Sequence, residues 1–78
     1  MTDTADRIRL RLRIRRCLPP PPERRELRQA TGLTQQELAD AVGVTRAAVS
    51  HWEHGVRTPR GQLLDRYVDA LVAMKEAA

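Results

Sequence analysis

The N-terminal part of the chain alternates polar and apolar residues at every second position. From Arg7 to Arg15 each arginine is separated from the next by one isoleucine or leucine. A period of two places apolar side chains on one face of a β-strand, whereas on a helix they would be spread around the axis. We therefore predict that residues 1–18 form an arginine-rich β-strand arm.

A single strand leaves unpaired backbone groups, and no other part of the sequence is typical of a strand. The strand would therefore pair with its counterpart in a second copy, which predicts a homodimer. Its outward arginines would lie along DNA phosphates or enter a minor groove, and they are Arg7, Arg9, Arg11, Arg13 and Arg15. A solvated strand face or a disordered basic arm would fit the same residues.

Four consecutive prolines at 19–22 predict a stiff polyproline spacer between this arm and a body that spans residues 23–78. Within the body the hydrophobic spacing becomes helical. The first helix is predicted over residues 23–30, with acidic residues early and Gly32 beyond its end.

The stretch 34–55 is typical of two short helices joined by a tight turn. Thr34 with Glu37 three residues later predicts a capping box at the start of the first helix. Gly43 ends that helix, because a residue without Cβ can adopt positive φ. Thr45 can then cap the second helix, whose face with Val49 and Trp52 is apolar.

The last helix is predicted to begin at Thr58 and Pro59, or slightly later because of Gly61, and to run to about Glu76. It carries a wide apolar face made of Leu63, Leu64, Tyr67, Val68, Leu71, Val72 and Met74. The predicted fold is therefore a small all-α domain of four helices with an N-terminal β-strand arm.

Several short strings follow one another in the body: Gly32-Leu33-Thr34-Gln35, Glu37-Leu38-Ala39, Gly43-Val44, Val49-Ser50, Trp52-Glu53, Gly55 and Pro59. Each string is weak alone, but the ordered set is specific. It resembles the helix-turn-helix of the Cro/repressor, or XRE-type, family of prokaryotic and phage transcriptional regulators. The resemblance covers Arg24 to about Met74 and implies a lambda-repressor-like domain that binds double-stranded DNA.

The resemblance also implies roles for individual side chains. Those that would face bases in the major groove are Arg46, Ala47, Ser50 and His51, and those that would contact phosphates are Gln35, Thr45, Arg57 and Arg60. Arg28 would pair with Glu53 and tie two helices together, and Trp52 would lie in the core. The alternative for Arg28 and Glu53 is two exposed charges of little energetic consequence.

Composition narrows the classes of function. The chain has 78 residues, a formal charge of +4 and an isoelectric point near 10.6, which favours a polyanionic partner. It has a single cysteine, no apolar run long enough to span a membrane and no secretory signal pattern, so we expect a cytoplasmic protein. Cys17, His51 and His54 lack the spacing of metal ligands, and neither a cofactor nor an enzyme is expected.

The predicted function is sequence-specific repression of transcription by a dimer on a palindromic operator, as in the small repressors of bacteriophages. The alternative is an antitoxin that represses its own operon and binds a toxin protein through the basic arm.

Overall fold

The computed structural model describes residues 3–77, so Met1, Thr2 and Ala78 lie outside the described residues. Residues 3–77 form five helices and no strand. In chain order they are α1 (Thr4–Arg16), α2 (Pro21–Ala30), α3 (Gln35–Val42), α4 (Arg46–Glu53) and α5 (Gly61–Ala77).

The arginine-rich segment is a helix, so the predicted β-strand arm is wrong, and with it the pairing of that strand across two copies and the count of four helices. Asp3 caps α1 by accepting a hydrogen bond from the Asp6 backbone nitrogen at 2.8 Å. Arginine and leucine are both good helix formers, and they make up most of this segment.

On a helix, the four apolar residues that alternate with arginines in the sequence form two pairs on different sides. Ile14 is buried and Leu10 packs beside it against the core, while Ile8 and Leu12 remain exposed. Residues four apart share a helix face, so each pair forms its own short stripe. Only one of the two stripes therefore anchors α1.

α1 runs antiparallel along α5, and three ion pairs line the seam between them. They are Arg7 with Glu76 at 3.1 Å, Arg11 with Asp69 at 2.9 Å and Arg15 with Asp65 at 2.7 Å. The first is also aligned as a hydrogen bond. Every second arginine of α1 therefore faces α5, a helix that is distant in sequence.

The proline segment is shared between a short connection and a helix. Pro19 and Pro20 connect α1 to α2, whereas Pro21 and Pro22 lie in the first turn of α2, where a missing N–H costs no hydrogen bond. The buried Arg24 fastens the connection to α4, because its Nε donates to the Pro19 carbonyl at 2.7 Å and its Nη1 to the Trp52 carbonyl at 3.0 Å.

The two helices of the predicted motif form as expected. The Thr34 hydroxyl accepts from the Glu37 backbone nitrogen and the Glu37 carboxylate accepts from the Thr34 nitrogen, which confirms the capping box. Gly43 has φ +88°, which confirms a left-handed residue at the turn. Thr45 caps α4 through the Ala48 nitrogen at 3.2 Å.

α5 supplies five of the eleven core residues, more than any other helix, and begins at Gly61, after Thr58 and Pro59 rather than on them. It contacts α1, α2 and α3. Trp52 of α4 packs on Tyr67 of α5 with ring centroids 4.7 Å apart. The core consists of Ile14, Leu38, Ala39, Val42, Val49, Trp52, Tyr67, Val68, Leu71, Val72 and Met74. Among residues 3–77, no helix is both long and apolar enough to cross a membrane.

Candidate nucleic-acid interface

The outer face of α4 carries the four side chains that were predicted to face bases. Arg46 and Ala47 are exposed, and Ser50 and His51 are half-buried. Val49 on the opposite face is fully buried. α4 is therefore anchored by one face and presents the other to solvent, as a helix that enters a groove must.

A buried ion pair holds α4 against α2. Arg28 Nε donates to Glu53 Oε2 at 2.6 Å and Arg28 Nη2 donates to Oε1 at 2.9 Å, in a two-pronged contact. The two residues are 8% and 4% exposed. The hydrogen bond from Arg28 to Glu53 raises the pKa of the guanidinium, although burial opposes it. The expected pairing is thus present in its buried form.

Gln35 joins the same contact from the start of α3. Its Nε2 donates to Glu53 Oε1 at 3.1 Å. Burial alone would raise the pKa of Glu53, but the hydrogen bonds from Arg28 and Gln35, together with the positive charges of Arg28 and Arg25, outweigh it and leave this pKa below its usual value. One ionised carboxylate therefore connects α2, α3 and α4 and fixes the angle at which α4 is presented.

The three other predicted phosphate contacts border this face. Arg57 and Arg60 line a groove of about 440 Å³ between α4 and the start of α5, together with Ala47, His51 and Leu63. The Thr45 hydroxyl lies on the rim of the same groove and accepts the capping bond, so its own proton is available to an acceptor. The structure thus brings two arginines beside residues that were predicted to face bases.

His54 and Trp52 both interact with the protein itself, His54 through a backbone carbonyl and Trp52 through the core. His54 Nδ1 lies 2.7 Å from the Ser50 carbonyl, and because a carbonyl can only accept, Nδ1 carries the proton. Trp52 lies in the core, as predicted. Burial raises the pKa of the neighbouring Tyr67 to about 12, and its hydroxyl has no hydrogen-bond partner among residues 3–77.

The arginines predicted to contact DNA from the arm are mostly engaged elsewhere. Arg7, Arg11 and Arg15 pair with carboxylates of α5, and Arg9 pairs with Asp6 at 2.9 Å. Arg13 lies in the last turn of α1. Within residues 3–77 there is no cluster of His, Cys, Asp and Glu that could hold a metal ion.

Sequence reasoning missed the structural role of Arg24. It lies one helical turn before Arg28 and therefore on the same face of α2, which is a signal available in the sequence. Its buried bonds to backbone carbonyls could not be predicted, because the path of the proline connection past α4 is set by tertiary packing.

The order of helices, the turn at Gly43 and the braced, outward-facing α4 define a helix-turn-helix DNA-binding domain. A comparison with protein families agrees, because the helix-turn-helix family matches residues 25–71. The chain belongs to this family, in its Cro/repressor-like XRE branch, and is a DNA-binding transcriptional regulator. Neither curated proteins nor solved structures gave a match.

Proposed function

We propose that the protein is a repressor that binds a near-palindromic operator as a homodimer, with α4 of each copy in the major groove. The observation that carries this proposal is the outer face of α4, where polar and small side chains project from a helix that the buried pair of Arg28 and Glu53 holds in place. A rigid helix is what direct reading of base edges requires.

The residues on the outer face of α4 suit different partners in the groove. Arg46 in the first turn can donate to O6 and N7 of one guanine, and Ala47 can contact a thymine methyl. Ser50 and His51 lie a turn further along, where they can reach a base or a phosphate. Arg57 and Arg60 lie beside the same face and can bind the phosphate backbone whatever the base sequence.

Repression by a dimer also fixes the spacing of the operator. Two copies related by a two-fold axis place their α4 helices on the same face of the duplex only if the half-sites are about 34 Å apart, one turn of DNA. Bound there, the dimer would cover a promoter and exclude polymerase.

The deciding experiment is selection of bound sequences from a random duplex library at about 0.15 M salt, because affinity depends steeply on salt. We expect an enriched palindrome with half-sites one turn apart. A single half-site would contradict the dimer, and no enriched sequence at all would contradict sequence-specific binding. The variant Arg46→Ala, selected in parallel, should lose preference at one base pair of each half-site.

A further inference from the structure

Two large apolar side chains of α1 lie in solvent on its outer side. Ile8 is 54% exposed and Leu12 is 47% exposed, and the two are one helical turn apart. Leu10 and Ile14 already anchor α1 to the core. The stripe formed by Ile8 and Leu12, which we call the α1 stripe, therefore has no partner within residues 3–77.

Arginines border the α1 stripe on both sides. By helical spacing Arg11 and Arg15 flank it toward α5, and Arg9 and Arg16 flank it on the far side. The side chains of Arg11 and Arg15 remain 45% and 51% exposed despite their ion pairs. The six arginines of Thr4–Arg16 lie beside four carboxylates, those of Asp6, Asp65, Asp69 and Glu76, so the surface around the stripe keeps a net positive charge. Arg13 and Arg16 have no ion pair within residues 3–77.

A groove continues the stripe toward α5. It has a volume of about 300 Å³ and is lined by Thr4, Arg7, Ile8 and Arg11 of α1 together with Asp69 and Val72 of α5. Ile8 and Val72 supply its apolar lining, and Arg7, Arg11 and Asp69 supply its charged lining. A groove of this shape can receive one apolar side chain of a partner while carboxylates next to that side chain meet the arginines.

We propose that the α1 stripe, its flanking arginines and this groove form a docking site for an acidic amphipathic helix of another protein. Such a helix has an apolar stripe with carboxylates on each side, which is the complement of α1 in both shape and charge. Burial of Ile8 and Leu12 supplies affinity, and the arginine rows select for acidic flanks.

Three other occupants fit less well. A second copy would bring two surfaces of net positive charge face to face. DNA would satisfy the guanidiniums but leave the apolar stripe uncovered. A bilayer requires a wider apolar face, whereas here the other apolar residues of α1 are already packed on α5.

The test uses a fluorescent acidic peptide of about 18 residues, long enough to hold helical structure, with leucines on one stripe and glutamates beside them. A second peptide has the same composition, but its leucines are distributed around the helix. We expect saturable binding of the first peptide to the full chain, measured by fluorescence anisotropy at about 0.15 M salt, and binding at least about tenfold weaker for the second.

Matched variants locate the binding site. The double variant Ile8→Ser with Leu12→Ser should weaken binding of the first peptide by at least about tenfold, whereas Val56→Ser should not, because Val56 is an even more exposed apolar residue that lies outside α1. Arg16→Gln should weaken it more than Arg25→Gln, an exposed arginine of α2. Circular dichroism checks that each variant keeps its helices.

Several outcomes would overturn the proposal. Equal binding of the two peptides would show that the arginines bind acidic peptides without any contribution from the apolar stripe. Absence of peptide binding would contradict the docking site altogether. Competition between peptide and duplex DNA would place the peptide on the DNA-facing side. Loss of self-association in the double Ile8 and Leu12 variant would assign the stripe to a second copy, and loss of binding to phosphatidylserine vesicles would assign it to a membrane.

Discussion

The protein contains arginine–carboxylate contacts in two regions that differ in exposure to solvent. In the helix-turn-helix region, Arg28 and Glu53 are 8% and 4% exposed and share two hydrogen bonds. Along the seam of α1 and α5, the side chains of the three pairs are 27% to 62% exposed. Water screens most of the second set, in which the Asp65 Oδ1 atom is buried, but it does not screen the first.

This difference shows that similar contacts hold the two regions in different ways. Removing one partner from the buried pair leaves a charge without water or a counter-ion, so the pair fixes the position of α4 whatever its net contribution to stability. The seam depends instead on the burial of Ile14 and Leu10, and its ion pairs mainly set the register of α1 along α5.

The largest expected effect is that of Glu53→Gln. It should lower the free energy of unfolding by about 3 to 5 kcal/mol, because Arg28 is left buried without a counter-charge. Urea unfolding at neutral pH measures this loss. The control is Glu26→Gln, an exposed glutamate of α2, which should stay within about 0.5 kcal/mol. A loss below about 1 kcal/mol for Glu53→Gln would contradict the special role of the buried pair.

The same pair predicts that the free energy of unfolding decreases in acid. The pKa of Glu53 is lowered in the folded state, so its stabilising contribution is present above the ordinary glutamate pKa of about 4.3 and is lost as pH falls through the lower folded value. The variant Glu53→Gln lacks this group, and its stability should fall less steeply with acid than that of the unchanged protein.

Ile14→Ala should have the next largest effect. It should cost about 2 to 3 kcal/mol, because Ile14 is 4% exposed and its removal opens a cavity between α1 and α5. Hydrogen exchange should show faster opening of α1 with little change in α3 and α4. Ile8→Ala is the matched control, and a similar loss from it would contradict the assignment of the two stripes.

The next prediction concerns DNA binding. Arg46→Ala should cost about 1 to 3 kcal/mol of binding free energy and relax preference at one base pair, whereas Arg57→Ala should weaken all sequences alike and reduce the salt slope by about one. Binding to the selected operator and to single-base variants, over a range of salt, separates these effects. Uniform loss of affinity in both variants would contradict the base-reading role of Arg46.

Tyr67→Phe should change stability by less than about 1 kcal/mol at neutral pH, because it removes a buried hydroxyl that has no partner among residues 3–77. The folded pKa of Tyr67 is raised to about 12, so the neutral hydroxyl favours folding below about pH 10, and this contribution is lost as pH rises through about 12. Tyr67→Phe should therefore resist alkaline unfolding better. The chain has one tyrosine, so the near-ultraviolet absorbance of the protein reports the titration of Tyr67 directly. A titration midpoint near pH 10 would contradict the raised pKa.

The smallest expected effect is that of Asp69→Asn at the seam. It should cost less than about 1 kcal/mol, because Arg11 and Asp69 are both well exposed. The loss should shrink in high salt, which screens exposed charges. A loss as large as that of Glu53→Gln would remove the distinction between the two regions.

The helix-turn-helix region could be predicted from local signals. Thr34, Glu37, Gly43 and Thr45 act within their own turns, so their spacing alone determines where α3 and α4 begin and where the turn falls. The pairing of Arg28 with Glu53 followed from the resemblance to the family. Its buried geometry and the third hydrogen bond from Gln35 required the structure.

α1 could not be predicted from periodicity, because the pattern of period two is also compatible with two apolar pairs on different sides of a helix. The deciding partners, Asp65, Asp69 and Glu76, lie at the other end of the sequence. Two local signals did favour a helix, namely Asp3 as a cap and the abundance of arginine and leucine.

The antiparallel arrangement of α1 and α5 has a practical consequence for labelling the protein. Arg7 Nε lies 3.1 Å from Glu76 Oε1, so both ends of the described chain emerge side by side. Leu63 borders the groove beside α4, and Glu76 lies about 20 Å farther along the helix, at about 1.5 Å per residue. A fluorophore or a fused reporter domain at either end would therefore sit away from the groove beside α4, and a donor–acceptor pair on the two ends would report the undocking of α1 in real time.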